Sequence, residues 1–458
     1  MAVAGASAEG AWEALLRPEV ELSADFGRRF ADILRAKRLT FGDRVHCQVL
    51  RPFFLTKSDE ARVRVVAETV ARLGERVTEQ ALEDSSLFRQ LGLTEDEERL
   101  VRIDPGYGTA STSSRLDAFL LPDSLWCAEY NAESPAGMGY AETLIEVFES
   151  LDIMRRFAQQ FEVQTSSLTA KLLAALVASY REFGGGAASP VVAIVDWRDV
   201  PTWSEFEILR DRFERLGTRA MVCDPRELDF DGRTLSCAGE PIDLVYRRVL
   251  TADIVARAAE CEALVGAYRA RAVCVANSLR CKMCQKKAFF AVLTDDTNAH
   301  LFTGDERALI GRHIPWTRVV ADVRTERAGE SIELVEHIRR NRAELVLKPS
   351  DEYGGKGVVL GWEASARQWD ATLDEALGAE SGVWVVQARI PVRRERFPRF
   401  ETGGHATFQE MLVDFAPYLF RGRLAGYLTR LSASGLANVT SGGGQVPAFV
   451  AEPRRQSE

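Results

Sequence analysis

Arg115, Asp117, Glu129 and Asn131 are the residues whose types and spacing could most directly do chemistry. They lie in the stretch SRLDAFLLPDSLWCAEYNAESPAG, residues 114–137. Leu116, Ala118 and Leu120 alternate with Arg115, Asp117 and Phe119. After Pro122, Asp123 and Ser124, residues Trp126, Ala128 and Tyr130 alternate with Cys127, Glu129 and Asn131. Side chains two apart share one face of a strand. A three-residue hairpin loop at Pro122–Ser124 pairs Leu121 with Leu125. That register sets Asp117 opposite Glu129 and Arg115 opposite Asn131. Two carboxylates about 5 Å apart, at an effective dielectric near 20, repel by roughly 3 kcal/mol. A hard divalent cation relieves that repulsion, and carboxylate and amide oxygens are what Mg²⁺ takes when it also holds phosphates. Arg115 would then hold an anionic oxygen beside it. A solvated face of an edge hairpin, with Arg115 neutralising the acids, is the other reading.

The second chemical stretch is LVLKPSDEYGGKGVVLG, residues 345–361. A strand delivers Lys348 to a polar loop that holds Tyr353, Gly354, Gly355, Lys356 and Gly357, and Val358 to Leu360 return as a strand. Glycines let the backbone approach a ligand and offer its N–H groups. The G-x-x-x-x-G-K-[ST] phosphate loop is absent, and strands rather than a helix flank the glycines. A lid over a triphosphate fits this pattern, and an ordinary glycine hairpin is the alternative. Gln285 to Leu293 predicts an amphipathic helix with Lys286 and Lys287 at its start, the wrong end for the helix dipole. Trp384 to Gln387 predicts a short buried strand ending at a polar residue, where an adenine edge could be read.

These residues need a scaffold, and the length of 458 residues is enough for two to four structural units. The composition is globular, 46% hydrophobic and 27% charged, with a net charge of -9. No basic block points to nucleic acid, and no apolar run reaches the roughly 18 residues of a membrane span. The first residues carry no basic segment ahead of an apolar core, so a cytoplasmic protein is expected. Residues 11 to about 100 predict helices: Ser23 caps one that runs through Arg35, Ser58 begins another, and Thr94 opens a short acidic turn. Gly139 to Phe157 and Val163 to Phe183 predict further helices, and residues 184–190 a linker.

From Val191 the pattern is β-α-β. Val191 to Val195 predicts a buried parallel strand, a helix begins at Ser204, and Arg219 to Cys223 and Pro241 to Arg248 predict strands. Asp196 follows the first strand end, the loop position where open α/β sheets bind ligands. Asp196, Arg198, Arg247 and Arg248 are candidate substrate contacts, and surface pairing of Arg with acids is the alternative. Eight cysteines are scattered along the chain, and Cys281-Lys-Met-Cys284 is the one metal-like or redox-like pair.

Together the motifs resemble the ATP-grasp enzymes in their circularly permuted form. In that superfamily a lysine helix, a strand bearing KP before a glycine lid and a VQE-like hinge strand precede the D…E-x-N metal motif. Here the metal motif comes first. The spacing R-x-D, then E-x-N, is similar to that of glutathionylspermidine synthase. EYNAESPAG, IDLVYRR, HIPWTRVV, LKPSDEYGGKGVVLG and ANVTSGGGQVPAFV resemble segments of a bacterial group of circularly permuted ATP-grasp proteins, over roughly residues 100 to 450. The resemblance implies ATP and Mg²⁺, with Mg²⁺ on Asp117, Glu129 and Asn131. It implies Arg115 on the transferred phosphoryl group, and Lys287 and Lys348 on the α and β phosphates. Residues Tyr353 to Gly357 become the lid and Gln387 the adenine hinge. Arg430, Asn438 and the glycines 442 to 444 form a stretch that returns to the site. The chain departs from the pattern at VQAR, which lacks the carboxylate of VQE.

The resulting expectation is an α/β fold with a helical N-terminal region over 1–100 and the metal-site hairpin with its helices over 101–187. A β-α-β subdomain over 188–275, the ATP-binding lid and C-terminal part over 276–450 and a flexible tail over 451–458 follow. The expected activity joins a small-molecule or peptide carboxylate to an amine through an acyl phosphate, with ADP and phosphate as products. Glu133, Ser134, Asp196, Arg247, Arg248 and Asn438 are its candidate substrate contacts. A nucleotide-binding regulatory protein that has lost turnover, and a redox or zinc protein built on CKMC, are the competing readings.

Overall fold

A computed structural model of the chain describes residues 7–41, 44–352, 354–379, 383–401, 404–433 and 444–455. Tyr353, Asn438, Gly442 and Gly443 lie outside the described residues. The fold is mixed α/β, built from several sheets and the helices that cover them. The strands that position the site are, in chain order, the hairpin β1 (Ser113–Leu120) and β2 (Leu125–Asn131). Next come β3 (Val192–Val195), β4 (Ala220–Cys223), β5 (Leu244–Arg247) and β6 (Cys274–Ala276). A third set is β7 (Thr317–Val319), β8 (Leu345–Pro349), β9 (Val359–Leu360) and β10 (Trp384–Ala388). Last are β11 (Arg394–Phe400), β12 (Ala406–Phe420), β13 (Arg423–Ser432) and β14 (Gly444–Val446).

These strands make three sheets. The hairpin joins β12, β13 and β14 in an antiparallel sheet of order β14-β13-β12-β1-β2, with β11 on the other part of β12. The four apolar β-α-β strands form a parallel sheet of order β6-β5-β3-β4. The lysine strand β8 lies in an antiparallel sheet of order β7-β10-β8-β9.

One face of the large sheet packs on a long helix, Lys57–Glu83, whose stripe of Val63, Val66, Ala67, Val70, Leu73 and Val77 is buried. That helix begins earlier than the expected Ser58. Thr56 caps it because its hydroxyl and the Asp59 carboxylate satisfy each other's backbone N–H groups. The helix expected over 139–157 is broken at Leu151 into Met138–Ser150 and Asp152–Phe157. The one expected from Val163 begins only at Leu168, because Phe161–Gln164 is a strand. That strand pairs with Ala448–Pro453, which also pairs with Phe53–Leu55. Residues 451–453, expected to begin a loose tail, are therefore held in a sheet. Residues 451–453 pair with Phe161–Val163 on one side, while 448–450 pair with Phe53–Leu55 on the other. The expected amphipathic helix at Gln285 is two short helices, Lys282–Gln285 and Ala288–Thr294, broken at Lys286 and Lys287. Ala288 to Leu293 are buried all round, so no polar face exists there.

Candidate active site

The hairpin has the expected register where the chemistry is: Asp117 faces Glu129 and Arg115 faces Asn131. It differs at the turn. Leu120, not Leu121, pairs with Leu125, and the turn is closed by the Leu121 N–H on the Ser124 carbonyl, 2.8 Å. The ladder shifts by one residue at Asp117/Ala118, which leaves Ala128 as an extra residue of β2. Such a bulge releases a backbone group from the ladder. Here the Ala128 carbonyl accepts from Lys348 Nζ at 3.3 Å. The two stretches singled out from the sequence thus meet across 220 positions of chain.

Four cationic side chains, Arg115, Arg430, Lys287 and Lys348, surround the carboxylates. Arg115 donates to Asp117 through Nε at 2.6 Å and through Nη2 at 3.0 Å, and through Nη1 to the Ala136 carbonyl at 2.7 Å. Arg430 Nη2 reaches Asp117 Oδ2 at 2.6 Å and Asp414 Oδ2 at 2.8 Å. Lys287 Nζ lies 3.7 Å from Glu129 Oε2 and also donates to the Glu352 carbonyl. Lys348 Nζ donates to Gln387 Oε1 at 2.6 Å, and Gln387 Nε2 to Thr317 Oγ1 at 3.2 Å. The Asn131 amide leans on Glu129 at 3.4 Å.

Electrostatics follow from that crowding. Burial would raise the Asp117 carboxyl, but the guanidiniums of Arg115 and Arg430 more than reverse it and hold it well below the usual carboxylate range. Asp414, equally buried with Arg430 as its one close cation, is pushed up to about 7. Burial lowers the Lys348 ammonium to about 8, against the pull of Glu129.

Two carboxylates and an amide on adjacent strands are an oxygen donor set suited to a hard cation. Asp117 accepts three N–H bonds and Glu129 one. An ionised carboxylate has about four lone-pair sites, so Asp117, Glu129 and Asn131 retain capacity for Mg²⁺.

The glycine loop returns on itself through Gly354, Gly355 and Gly357, all at positive φ. A side chain at Gly357 would come within 2.6 Å of Pro349 Cγ, so this position accepts no other residue without movement. Lys356 is exposed and pairs with Glu352 inside the loop at 3.1 Å, outside the cluster around Glu129.

The remaining predicted contacts lie at the carboxyl ends of the parallel strands. Glu133 and Arg247 are 1% and 0% exposed and bond each other at 2.9 Å. Glu133 also accepts from the Thr251 N–H at 2.6 Å. Arg247 further donates to the carbonyls of Asn277, Val249 and Ser278 and to Cys281 Sγ. With its donors engaged inside the protein, Arg247 has a structural place, as does Glu133. Ser134 Oγ contacts the Arg247 carbonyl at 3.4 Å. Arg248 binds the Pro135 carbonyl at 2.8 Å and the Tyr246 hydroxyl at 3.0 Å. Asp196 accepts from the Trp197 N–H at 2.8 Å, and burial raises it to about 6. Arg198 is exposed, stacked on Trp203 and paired with Glu227. Cys281 and Cys284 are buried, and burial pushes the Cys281 thiol up to about 12. Among the described residues no group of three or more His, Cys, Asp or Glu could hold a metal ion.

Sequence reasoning missed Asp414, which sits directly opposite Arg430 in the β12–β13 hairpin. The turn at Arg421-Gly422, both at positive φ, was the available signal. It pairs Phe420 with Arg423, and a shift at Tyr418/Leu419 then brings Asp414 across from Arg430. Also missed was a buried ionic network at the lid's root. Lys282 and Lys286 share Asp351, at 2.6 and 3.1 Å, and Glu97, at 3.3 and 2.8 Å.

With this geometry in hand, the comparison with known proteins is direct. The profile of the circularly permuted ATP-grasp type 2 family matches residues 108–440, and the chain belongs to that family. A protein named for a glutamate–cysteine ligase 2-2, from Frankia casuarinae, is 26% identical over 225 residues, covering 47% of this chain and 24% of that one. One named for a glutamate–cysteine ligase 2-3, from Frankia alni, is 27% identical over 225 residues with the same coverage. The match therefore spans about a quarter of the length of these curated relatives. A glutathione synthetase-like effector from Globodera pallida, solved in its apo form, superposes with a TM-score of 0.57 at 12% identity. It covers 95% of this chain and 98% of that chain, a likeness of fold. Among the described residues no helix is long and apolar enough to cross a membrane.

Proposed function

We propose that this chain is an ATP-dependent ligase that joins a carboxylate to an amine through an acyl phosphate, releasing ADP and phosphate. The observation that carries the reading is the convergence of Lys348 and Lys287 on the Glu129 side of the hairpin, with Arg115 and Asp117 beside them. Phosphates attract two lysines, and a hard cation attracts the carboxylates facing them. The family and the ligase names of the Frankia relatives support the same class.

In this reading Lys287 and Lys348 hold the α and β phosphates of ATP. Gln387, buried beside Lys348, orients that lysine and borders the adenine. Arg115 and Arg430 neutralise the transferring phosphoryl group. Asp117, Glu129 and Asn131 would hold Mg²⁺, which when bound supplies charge neutralisation at the phosphates. The substrate carboxylate oxygen attacks the γ-phosphorus, and the bond to the β–γ bridging oxygen breaks, so ADP leaves. The amine nitrogen then attacks the acyl carbon, and the carbon–oxygen bond to phosphate breaks. The chain's part is positioning and charge stabilisation. The glycine loop excludes water from the acyl phosphate.

Hydroxylamine tests the reading. The protein with MgATP, hydroxylamine and a pool of amino acids, small peptides and dicarboxylates is expected to form a hydroxamate, with one ADP and one phosphate for each. AMP and pyrophosphate as products would reject the acyl-phosphate route, and no nucleotide turnover at all would reject the ligase.

A further inference from the structure

The segment that leaves β8 for the glycine loop is held by a buried ionic cluster. Asp351 lies between Ser350 and Glu352, and its carboxylate takes Lys282 Nζ at 2.6 Å and Lys286 Nζ at 3.1 Å. Both lysines also reach Glu97, at 3.3 and 2.8 Å, and Lys282 lies 3.7 Å from Glu133. Glu97 is itself fixed, since its carboxylate accepts from the Thr94 N–H at 2.9 Å in the cap of the helix Glu95–Val101. With Arg247 on Glu133, three cations face three carboxylates. Asp351 is the loop member of the set. Its side chain is 29% exposed, and those of the other five are 3% exposed or less.

The residues on either side of Asp351 hold Lys287. The Lys287 N–H donates to the Ser350 carbonyl at 2.9 Å, and the Ala288 N–H to Ser350 Oγ at 3.1 Å. The Glu352 carbonyl accepts from Lys287 Nζ. The lysine segment is tied in turn to the hairpin, because Gln285 Oε1 accepts from the N–H groups of Ala132 and Glu133, at 2.9 and 3.1 Å, directly after Asn131. Lys287 Nζ ends 3.7 Å from Glu129.

An ammonium on a four-carbon stem is mobile unless its surroundings fix it. Here the contact that fixes Lys287 is a backbone carbonyl, which is only as well placed as the segment that carries it. Asp351 supplies that segment's charged tie, and without it two buried ammoniums are short of one carboxylate. Its oxygens are both taken, Oδ1 by Lys282 and Oδ2 by Lys286.

Resting on the ligase reading above, we propose that Asp351 is a positioning residue for the nucleotide. Through Ser350 and Glu352 it sets Lys287 Nζ where the phosphates bind, without touching them itself.

A double-mutant cycle on nucleotide affinity tests this without turnover. The full chain is titrated calorimetrically with adenylyl imidodiphosphate and Mg²⁺. Asp351→Asn is expected to weaken binding about fivefold or more in the wild-type background and less than about twofold in Lys287→Ala, because coupled residues do not add. A loss of the same size in both backgrounds would assign Asp351 to the fold alone and overturn the proposal. So would an unchanged affinity in Asp351→Asn. Melting without ligand is followed in parallel. If Asp351→Asn is unfolded at the assay temperature, Asp351→Glu replaces it. That variant keeps the charge and lengthens the tie by one methylene, and its loss, about threefold, is likewise expected to vanish in Lys287→Ala. Failure of hydroxamate formation with the cycle as expected would count against the ligase reading alone, and a wild type that binds no nucleotide would reject both.

Discussion

Arg115 and Arg247 are both buried arginines paired with a carboxylate, and they end in opposite situations. Arg247 lies at the carboxyl end of a parallel strand, and its guanidinium bonds to Glu133, three backbone carbonyls and a thiol. Arg115 lies on the face of the antiparallel sheet, among groups that remain partly unmatched. Lys348 is depressed by burial, and Asp414 and Arg430 keep unpartnered atoms. In sequence, Arg115 read as part of the polar face of a hairpin and Arg247 as a candidate substrate contact on a strand of the β-α-β unit. The difference teaches that what the fold packs around a buried guanidinium, rather than its charge, decides whether it joins a cluster of lysines and acids or a closed structural pair.

The largest test of that contrast is Arg247→Met. It leaves Glu133 buried without its guanidinium, and breaking a buried pair from one side costs about 3–5 kcal/mol. Denaturant unfolding should show that loss, while nucleotide affinity per folded molecule stays near wild type. A variant as stable as the wild type would contradict the structural place of Arg247.

Lys348→Ala is expected to do the reverse. It removes a charge-assisted contact to phosphate, roughly 1.5–3 kcal/mol of nucleotide affinity. Unliganded stability should change less, because a poorly solvated ammonium goes with it. Equal thermal shifts with MgATP in both proteins would remove Lys348 from the nucleotide site.

The titration of Lys348 gives a subtler effect. Its native value, about 8, lies below the ordinary 10.5 because of burial. Between those values the unfolded chain binds more protons, so this group makes the ligand-free protein more stable as pH rises. Nucleotide binding needs the charged form, so affinity for MgATP should fall as pH rises through 8. Calorimetric titration at pH 7 and pH 9 checks the sign, and Lys348→Ala should flatten the difference.

The smallest effect is expected at Arg198. It is exposed and pairs with Glu227 across the surface, and such pairs contribute about 0–1 kcal/mol. Arg198→Ala should leave denaturant unfolding nearly unchanged.

Residue types and spacing alone determined the polar face of the hairpin, the lysine strand with its glycine loop and three strands of the parallel sheet, while the fourth, β6, appeared only in the structure. Each is a local pattern, and period-two alternation or a glycine run is legible within one segment. The register at Asp117 and Glu129 was legible for the same reason, although the assumed three-residue loop was not the one formed. Tertiary structure alone decided the rest. A bulge at Ala128 reconciled a longer turn with that register and freed the carbonyl that Lys348 uses. A second shift, at Tyr418/Leu419, set Asp414 rather than a neighbour across from Arg430, and a slip of one residue would have turned the acid to the other face. Whether an arginine near a strand end is free or engaged depends on what packs over it. For Arg247 that was Glu133 and the segment around Asn277, Ser278 and Cys281, distant in sequence and brought together only by the fold.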